Sequence, residues 1–255
     1  MFDLHCHYLP AVDDGAETLA DGVALAAAAV ADGIRGAVLT PHVHPGRYDN
    51  SRSFLQPRFD AFARAVASAG IPLELRLGCE LRLSAESIEL LARDEVPMLG
   101  HWEGAPVVLL EFPHDTVPVG AVQAVEHLVG RGMRPMIAHP ERNKAMIRDP
   151  MRLRPFVEAG CLAQLTAASV CGLFGAPPQR AALAMLERSW VTVVASDAHS
   201  LQHRPPVMTR AREALAARYG ADVAARLTTE APGAIFGMPA ATAPEAALTA
   251  GERPS

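Results

Sequence analysis

Seven short apolar runs alternate along this chain with longer runs of helical periodicity, and that alternation limits the fold more than any other feature. Strands are predicted at 1–7, 37–41, 73–79, 107–111, 135–138, 162–166 and 191–195. Helices are predicted between them at 17–32, 52–68, 85–91, 119–130, 150–158 and 176–188, with two more at 207–218 and 221–228. The connections carry turn residues such as Asp32-Gly33, Ala69-Gly70 and Gly130-Arg131-Gly132. Most strand runs are apolar throughout, as parallel strands covered on both faces must be. Seven strands each followed by a helix describe an α/β chain, a (β/α) barrel in preference to an open doubly wound sheet. At 255 residues the chain is long enough for such a barrel as a single domain, here over 1–238. The stretch 239–255, rich in Ala and Pro without periodicity, is expected to be a disordered tail.

Charge and cysteine usage narrow the function classes. A formal net charge of −5 argues against nucleic acid or an anionic membrane as the main partner. The apolar stretch 24–31 is too short to span a bilayer and is bounded by Asp21 and Asp32. The opening Met1-Phe2-Asp3-Leu4-His5 has neither a basic nor an apolar leader region, so no secretory signal is expected. The four cysteines, Cys6, Cys79, Cys161 and Cys171, show neither zinc-ribbon spacing nor a disulfide framework. A cytoplasmic protein with reduced thiols is the expectation.

The chemistry lies at the strand ends. In His5-Cys6-His7 the two imidazoles fall on one face of a strand and Cys6 on the other. Alone, that spacing is a weak signal. It is repeated in kind by Thr40-Pro41-His42, Gly78-Cys79-Glu80, Leu110-Glu111-Phe112, Ala138-His139-Pro140-Glu141-Arg142 and Ser196-Asp197-Ala198-His199. The C-terminal ends of parallel barrel strands converge on one rim, where active sites are built. Histidine or carboxylate at six of seven such ends is hard to reconcile with packing, because buried charge is costly unless a counter-ion meets it. Imidazole and carboxylate without thiolate suit Mn²⁺, Fe²⁺ or Zn²⁺. Two or three such ions, one pair bridged by a glutamate, would activate water at neutral pH and clamp a phosphoryl group.

These residues resemble the polymerase-and-histidinol-phosphatase (PHP) superfamily. Within it, His5-Cys6-His7 followed by Leu9-Pro10-Ala11-Val12-Asp13-Asp14-Gly15-Ala16 is similar to the bacterial manganese-dependent tyrosine-protein phosphatases of capsule and exopolysaccharide clusters. The resemblance runs from Phe2 to about Met238. It implies a distorted (β/α)₇ TIM-like barrel and a divalent-metal centre, with manganese favoured over iron or zinc. By motif, His5, His7, Glu80 and Asp197 would hold one ion. Glu80 would bridge to a second held with Glu111 and His139, and Asp14, His42 and His199 would hold a third. Arg142 would reach the phosphoryl oxygens. The implied substrate is a phosphotyrosine protein, a bacterial tyrosine kinase above all.

Two other readings use the same residues: a histidinol-phosphate or other small-molecule phosphatase, and a non-catalytic metal-stabilised module. The second is disfavoured by the complete ligand set. No cysteine has an arginine six residues later, so the loop of thiol-dependent tyrosine phosphatases is absent. His44, His101, His114, His127 and His203 read as loop or surface residues, and Asp13 as turn chemistry as readily as a ligand. Glu141 is expected to pair with an arginine.

Overall fold

The computed structural model describes residues 1–238, so the expected tail at 239–255 lies outside the described residues. Ten strands are present among them: β1 (Phe2–Cys6), β2 (Gly36–Leu39), β3 (His42–Val43), β4 (Glu74–Leu77), β5 (Glu80–Arg82), β6 (Gly100–Trp102), β7 (Ala105–Glu111), β8 (Arg134–Ala138), β9 (Leu162–Thr166) and β10 (Val193–Ala195). Seven barrel staves account for nine of them. β2 and β3 are one stave interrupted at Thr40-Pro41, and β4 and β5 are one interrupted at Gly78-Cys79. Pairing runs β1-β2-β4 and β3-β5-β7-β8-β9-β10, parallel throughout. Backbone bonds from Asp197 N to His5 O (2.8 Å) and from His7 N to Ala198 O (2.8 Å) join the last stave to the first. The result is the distorted (β/α)₇ barrel.

The helices are α1 (Leu19–Ala31), α2 (Arg52–Ser68), α3 (Ala85–Ala92), α4 (Ala121–Gly130), α5 (Lys144–Arg148), α6 (Arg154–Glu158), α7 (Ala167–Val170), α8 (Ala176–Glu187), α9 (Thr209–Tyr219), α10 (Ala221–Ala225) and α11 (Ala231–Phe236), and the predicted periodic runs fall on all of them except α5, α7 and α11. Their starts follow ordinary capping chemistry. Thr18 and Asp21 form a reciprocal capping box on α1, and Ser51 and Ser84 cap α2 and α3. Four features went unpredicted: the antiparallel strand β6 hairpinned to β7, the short helices α5 and α7, the π winding of the turn over Arg226–Glu230, and helix α11 that this turn leads into.

Two apolar layers hold the barrel. One fills its interior with Phe2, Leu4, Val107, Leu109, Met136, Val193 and Ala195, and is plugged from the N-terminal end by Ile235 and Phe236 of α11. The other lies between staves and helices, with Val108, Leu110, Ile137, Leu165 and Val194 facing outward into it. The alternation within each strand therefore has both faces buried, as the unbroken apolar runs require. On β1 the register slips by one residue between Asp3 and Cys6, a bulge that resets the alternation. Phe2 and Leu4 point inward below it, while above it Cys6 packs in the outer layer. His5 and His7 then take the inward positions.

Candidate metal centre

The site is built where the barrel staves stop. Glu111 closes β7, and Gln164 faces inward near the end of β9. Asp197 lies two residues past β10. Two positions break the alternation by backbone strain: His139 has φ 29° and Asp197 φ 54°, values a side chain with a Cβ rarely adopts. The interruption at Pro41 directs His42 into the bowl. That at Gly78, where a Cβ would crowd Val38 and Leu99, does the same for Glu80.

All nine residues expected as ligands converge. His5 Nε2 lies 3.2 Å from Glu80 Oε2, 3.3 Å from Asp197 Oδ1 and 3.2 Å from His7 Nε2. His42 Nδ1 is 3.1 Å from Glu80 Oε2 and its Nε2 is 3.2 Å from Asp14 Oδ1. His139 Nε2 is 2.8 Å from Glu80 Oε1, and His199 Nε2 is 3.7 Å from Asp14 Oδ1. Glu111 joins His42 and Glu80 in a further group whose ligand atoms all lie within 4.8 Å of one another. Glu80, almost fully buried, is the hub.

The donor set fits divalent cations. His5 Nδ1 faces Gln164 Oε1 (2.9 Å) and His7 Nδ1 faces Asp13 Oδ2 (2.8 Å), so both Nδ1 atoms act as donors. Each Nε2 is then left as a lone pair aimed at the other, at Glu80 Oε2 and at Asp197 Oδ1, with separations of 3.2–3.6 Å. Four acceptors share one buried point with no N–H or O–H among them, and Glu80 Oε2 has no hydrogen-bond partner. Only positive charge satisfies such a point.

Without a cation, the same crowding of carboxylates favours protons on the His5 and His42 rings in its place. Burial alone would depress the His5 ring, yet Glu80 and Asp197 drive its pKa up to about 9. The His42 ring is raised to about 10 against burial, chiefly by Glu80 and Asp14. Burial would raise Glu80, but His5, His42 and His139 hold it well below the carboxylate range. Glu111 is pushed up to about 7 by burial and then by the neighbouring Glu80 charge.

Arg142 lines the same cleft and pairs with Asp197 Oδ2, its guanidinium 5.0 Å from the Phe174 ring centroid. Arg204 pairs with the same oxygen and was missed from sequence. It sits seven residues beyond Asp197 in the turn closed by Ser200, and the only signal was an arginine on the catalytic rim. Arg82 was missed too; it binds Glu111 Oε2 through Nε and an Nη, both at 2.9 Å. Glu141 does not pair with an arginine: it is buried, and its Oε1 accepts from Thr166 N at 2.9 Å, tying the end of β8 to that of β9. His44 and His114 reach the cleft wall; His101 and His127 are exposed away from it, and His203 is exposed in an adjoining depression shared with Asp14, His199 and Arg204. No cysteine lines the cleft. Cys6 donates to Val38 O and Cys79 to Pro97 O, both fully buried.

Comparison with known proteins places this geometry. The family model described as "Capsular polysaccharide synthesis, CpsB/CapC" matches residues 1–237. The chain is 36% identical to the tyrosine-protein phosphatase YwqE of Bacillus subtilis, covering 91% of this chain and 90% of that one. It is 30% identical to the tyrosine-protein phosphatase CpsB of Streptococcus pneumoniae, covering 91% and 96%. A solved structure described among those of YwqE and CpsB, "unique metal-dependent tyrosine phosphatases", superposes with a TM-score of 0.86 at 34% identity, over 94% of this chain and 96% of the other. A lactonase from Listeria monocytogenes shares the fold alone, with a TM-score of 0.54 at 11% identity.

Proposed function

This chain belongs to the CpsB/CapC family of capsular polysaccharide synthesis, and we infer that it is a metal-dependent protein-tyrosine phosphatase. The observation that carries the reading is the convergence of eight imidazole and carboxylate side chains around the buried Glu80, with Arg142 and Arg204 paired to Asp197 and no thiol in the same cleft. We assign His5, His7, Glu80 and Asp197 to one divalent ion. Glu80, Glu111 and His139 take a second, and Asp14, His42 and His199 a third. Manganese is the favoured metal, with iron or zinc as alternatives. The working unit is one barrel domain over 1–238. The substrate is phosphotyrosine on a protein, foremost a bacterial tyrosine kinase that controls capsule or exopolysaccharide synthesis. No described helix is long and apolar enough to cross a membrane, which fits a cytoplasmic location.

Ions bound there would supply positive charge for the phosphoryl oxygens and acidify a water to serve as nucleophile. The chain's own residues do the rest. Arg142 and Arg204 use one nitrogen each on Asp197, which leaves planar N–H donors facing the cleft for equatorial phosphoryl oxygens. Phe174 buttresses the Arg142 plane. Phenolate, with a conjugate-acid pKa of about 10, leaves with less protonation than an alkoxide needs. Turnover of a phosphotyrosyl peptide, compared with histidinol phosphate, tests the assignment. Preference for the peptide is expected, and a clear preference for histidinol phosphate would refute it.

A further inference from the structure

We propose that Asp13 is a positioning residue of the metal centre: its carboxylate holds the His7 ring with Nε2 facing the cluster and fixes the backbone that presents His42. The proposal rests on the metal-centre reading above. Sequence placed Asp13 and Asp14 side by side, and the structure gives them opposite tasks. Asp14 is half exposed and turns an oxygen to His42 and His199 in the cleft. The Asp13 side chain is buried and takes part in none of the candidate ligand groups. Its Oδ2 accepts from His7 Nδ1 at 2.8 Å and from the His42 backbone N at 2.9 Å, while Oδ1 accepts from Gly15 N at 2.9 Å.

One oxygen therefore ties a ring on the first stave to the backbone of the second, joining side chains assigned to different ions. The local sequence is shaped for this contact. A Cβ at Gly15 would run into the carbonyl and Cβ of His7, and Ala16 N donates to His7 O at 3.0 Å. The turn can lie against His7 only with glycine at 15. His5 is held differently, by the neutral amide of Gln164. A carboxylate accepts the Nδ1–H more strongly than an amide does, fixes the tautomer, and makes Nε2 the better donor to a cation.

The test is titration of chelator-stripped, full-length protein with Mn²⁺ by calorimetry, for wild type, Asp13→Asn and Asp13→Ala. Asparagine can turn its carbonyl oxygen toward His7 and His42 and give up only the Gly15 bond, so geometry is kept while charge is lost. Affinity is expected to fall about tenfold in Asp13→Asn and about a hundredfold in Asp13→Ala. The melting midpoint of stripped Asp13→Asn should stay near that of stripped wild type. A merely structural role would lower that midpoint and leave Mn²⁺ affinity unchanged. Wild-type affinity in a folded Asp13→Asn protein would overturn the proposal, whatever the alanine variant does. Wild type that takes up no Mn²⁺, Fe²⁺ or Zn²⁺ would instead overturn the metal-centre reading, and this proposal with it.

Discussion

Replacing Asp3 should loosen the site from behind without removing a proposed ligand, although its Oδ1 also accepts weakly from the His5 backbone N at 3.4 Å. Asp3 is fully buried on β1, and its carboxylate accepts from Ser196 N at 2.9 Å and Ser196 Oγ at 2.5 Å. Those bonds pin the turn after β10, whose next residue is Asp197 in its left-handed conformation. In Asp3→Ala two donors of Ser196 lose their acceptor, at about 1–3 kcal/mol each. Part of that is offset because a carboxylate is no longer buried, so a net loss of about 3 kcal/mol is expected. For a chain of this size it corresponds to a fall of roughly 6–12 °C in thermal midpoint. Asp3→Asn keeps an acceptor for Ser196 N and should lose about a third as much. Burial holds the Asp3 pKa above its ordinary 3.8 despite the Ser196 bonds. A carboxyl raised on folding contributes stability that is full below its unfolded pKa and is lost as pH rises through the folded value. The Asn variant, which cannot ionise, should therefore gain on wild type as pH rises from about 4 to about 7. Thermal melts at both pH values, read beside phosphatase activity, decide it. An Asp3→Ala protein melting within about 2 °C of wild type with full activity would refute the reasoning.

Glu80→Ala should lower turnover of p-nitrophenyl phosphate in saturating Mn²⁺ further than His42→Ala, because Glu80 meets four imidazoles and is the assigned bridge. Near wild-type turnover in Glu80→Ala would remove the bridge. Arg142→Lys and Arg204→Lys should each keep their metals on elemental analysis yet lose about a hundredfold in kcat/KM, since lysine lacks the planar fork. Replacing all four cysteines with serine should leave the chemistry largely intact, and a folded, metal-replete but inactive quadruple variant would contradict that. Burial pushes the Cys161 thiol up to about 12, so iodoacetamide at pH 8 should label it far more slowly than a free cysteine.

The staves and most of the converging side chains were legible because both are strictly local patterns. An apolar run buried on two faces reads the same in sequence as in space, and every expected ligand but Asp14 sits at or just past the end of such a run; Asp14, half exposed in the loop after β1, was legible only through the family motif it resembles. The fold of α2 over Arg52–Ser68 and of β9 over Leu162–Thr166 agrees with the reading to the residue. The interruptions at Pro41 and Gly78 and the bulge on β1 were not legible, since they arise from the pairing of staves distant in sequence. Hairpin strand β6 was hidden because Gly100–Trp102 is short and only half buried. Gln164 acts on His5 from 159 residues away and no local spacing marks it, whereas Asp13 and Arg204 lie within seven residues of His7 and Asp197 but carry no spacing that tells their contacts from turn chemistry or a surface arginine. Glu141 was misread because arginine next door in sequence is the obvious partner, whereas its real one is a backbone N–H on the adjacent stave.

The central claim is that phosphotyrosine hydrolysis here depends on divalent ions held by this shell. Its most direct test is elemental analysis of gently purified protein, paired with hydrolysis of a phosphotyrosyl peptide before chelation, after chelation, and after readdition of Mn²⁺. The account predicts at least two equivalents of divalent metal per chain, loss of hydrolysis when they are stripped, and its return with Mn²⁺. Fewer than one equivalent, none regained on adding Mn²⁺, Fe²⁺ or Zn²⁺, with hydrolysis persisting in chelator, would contradict it.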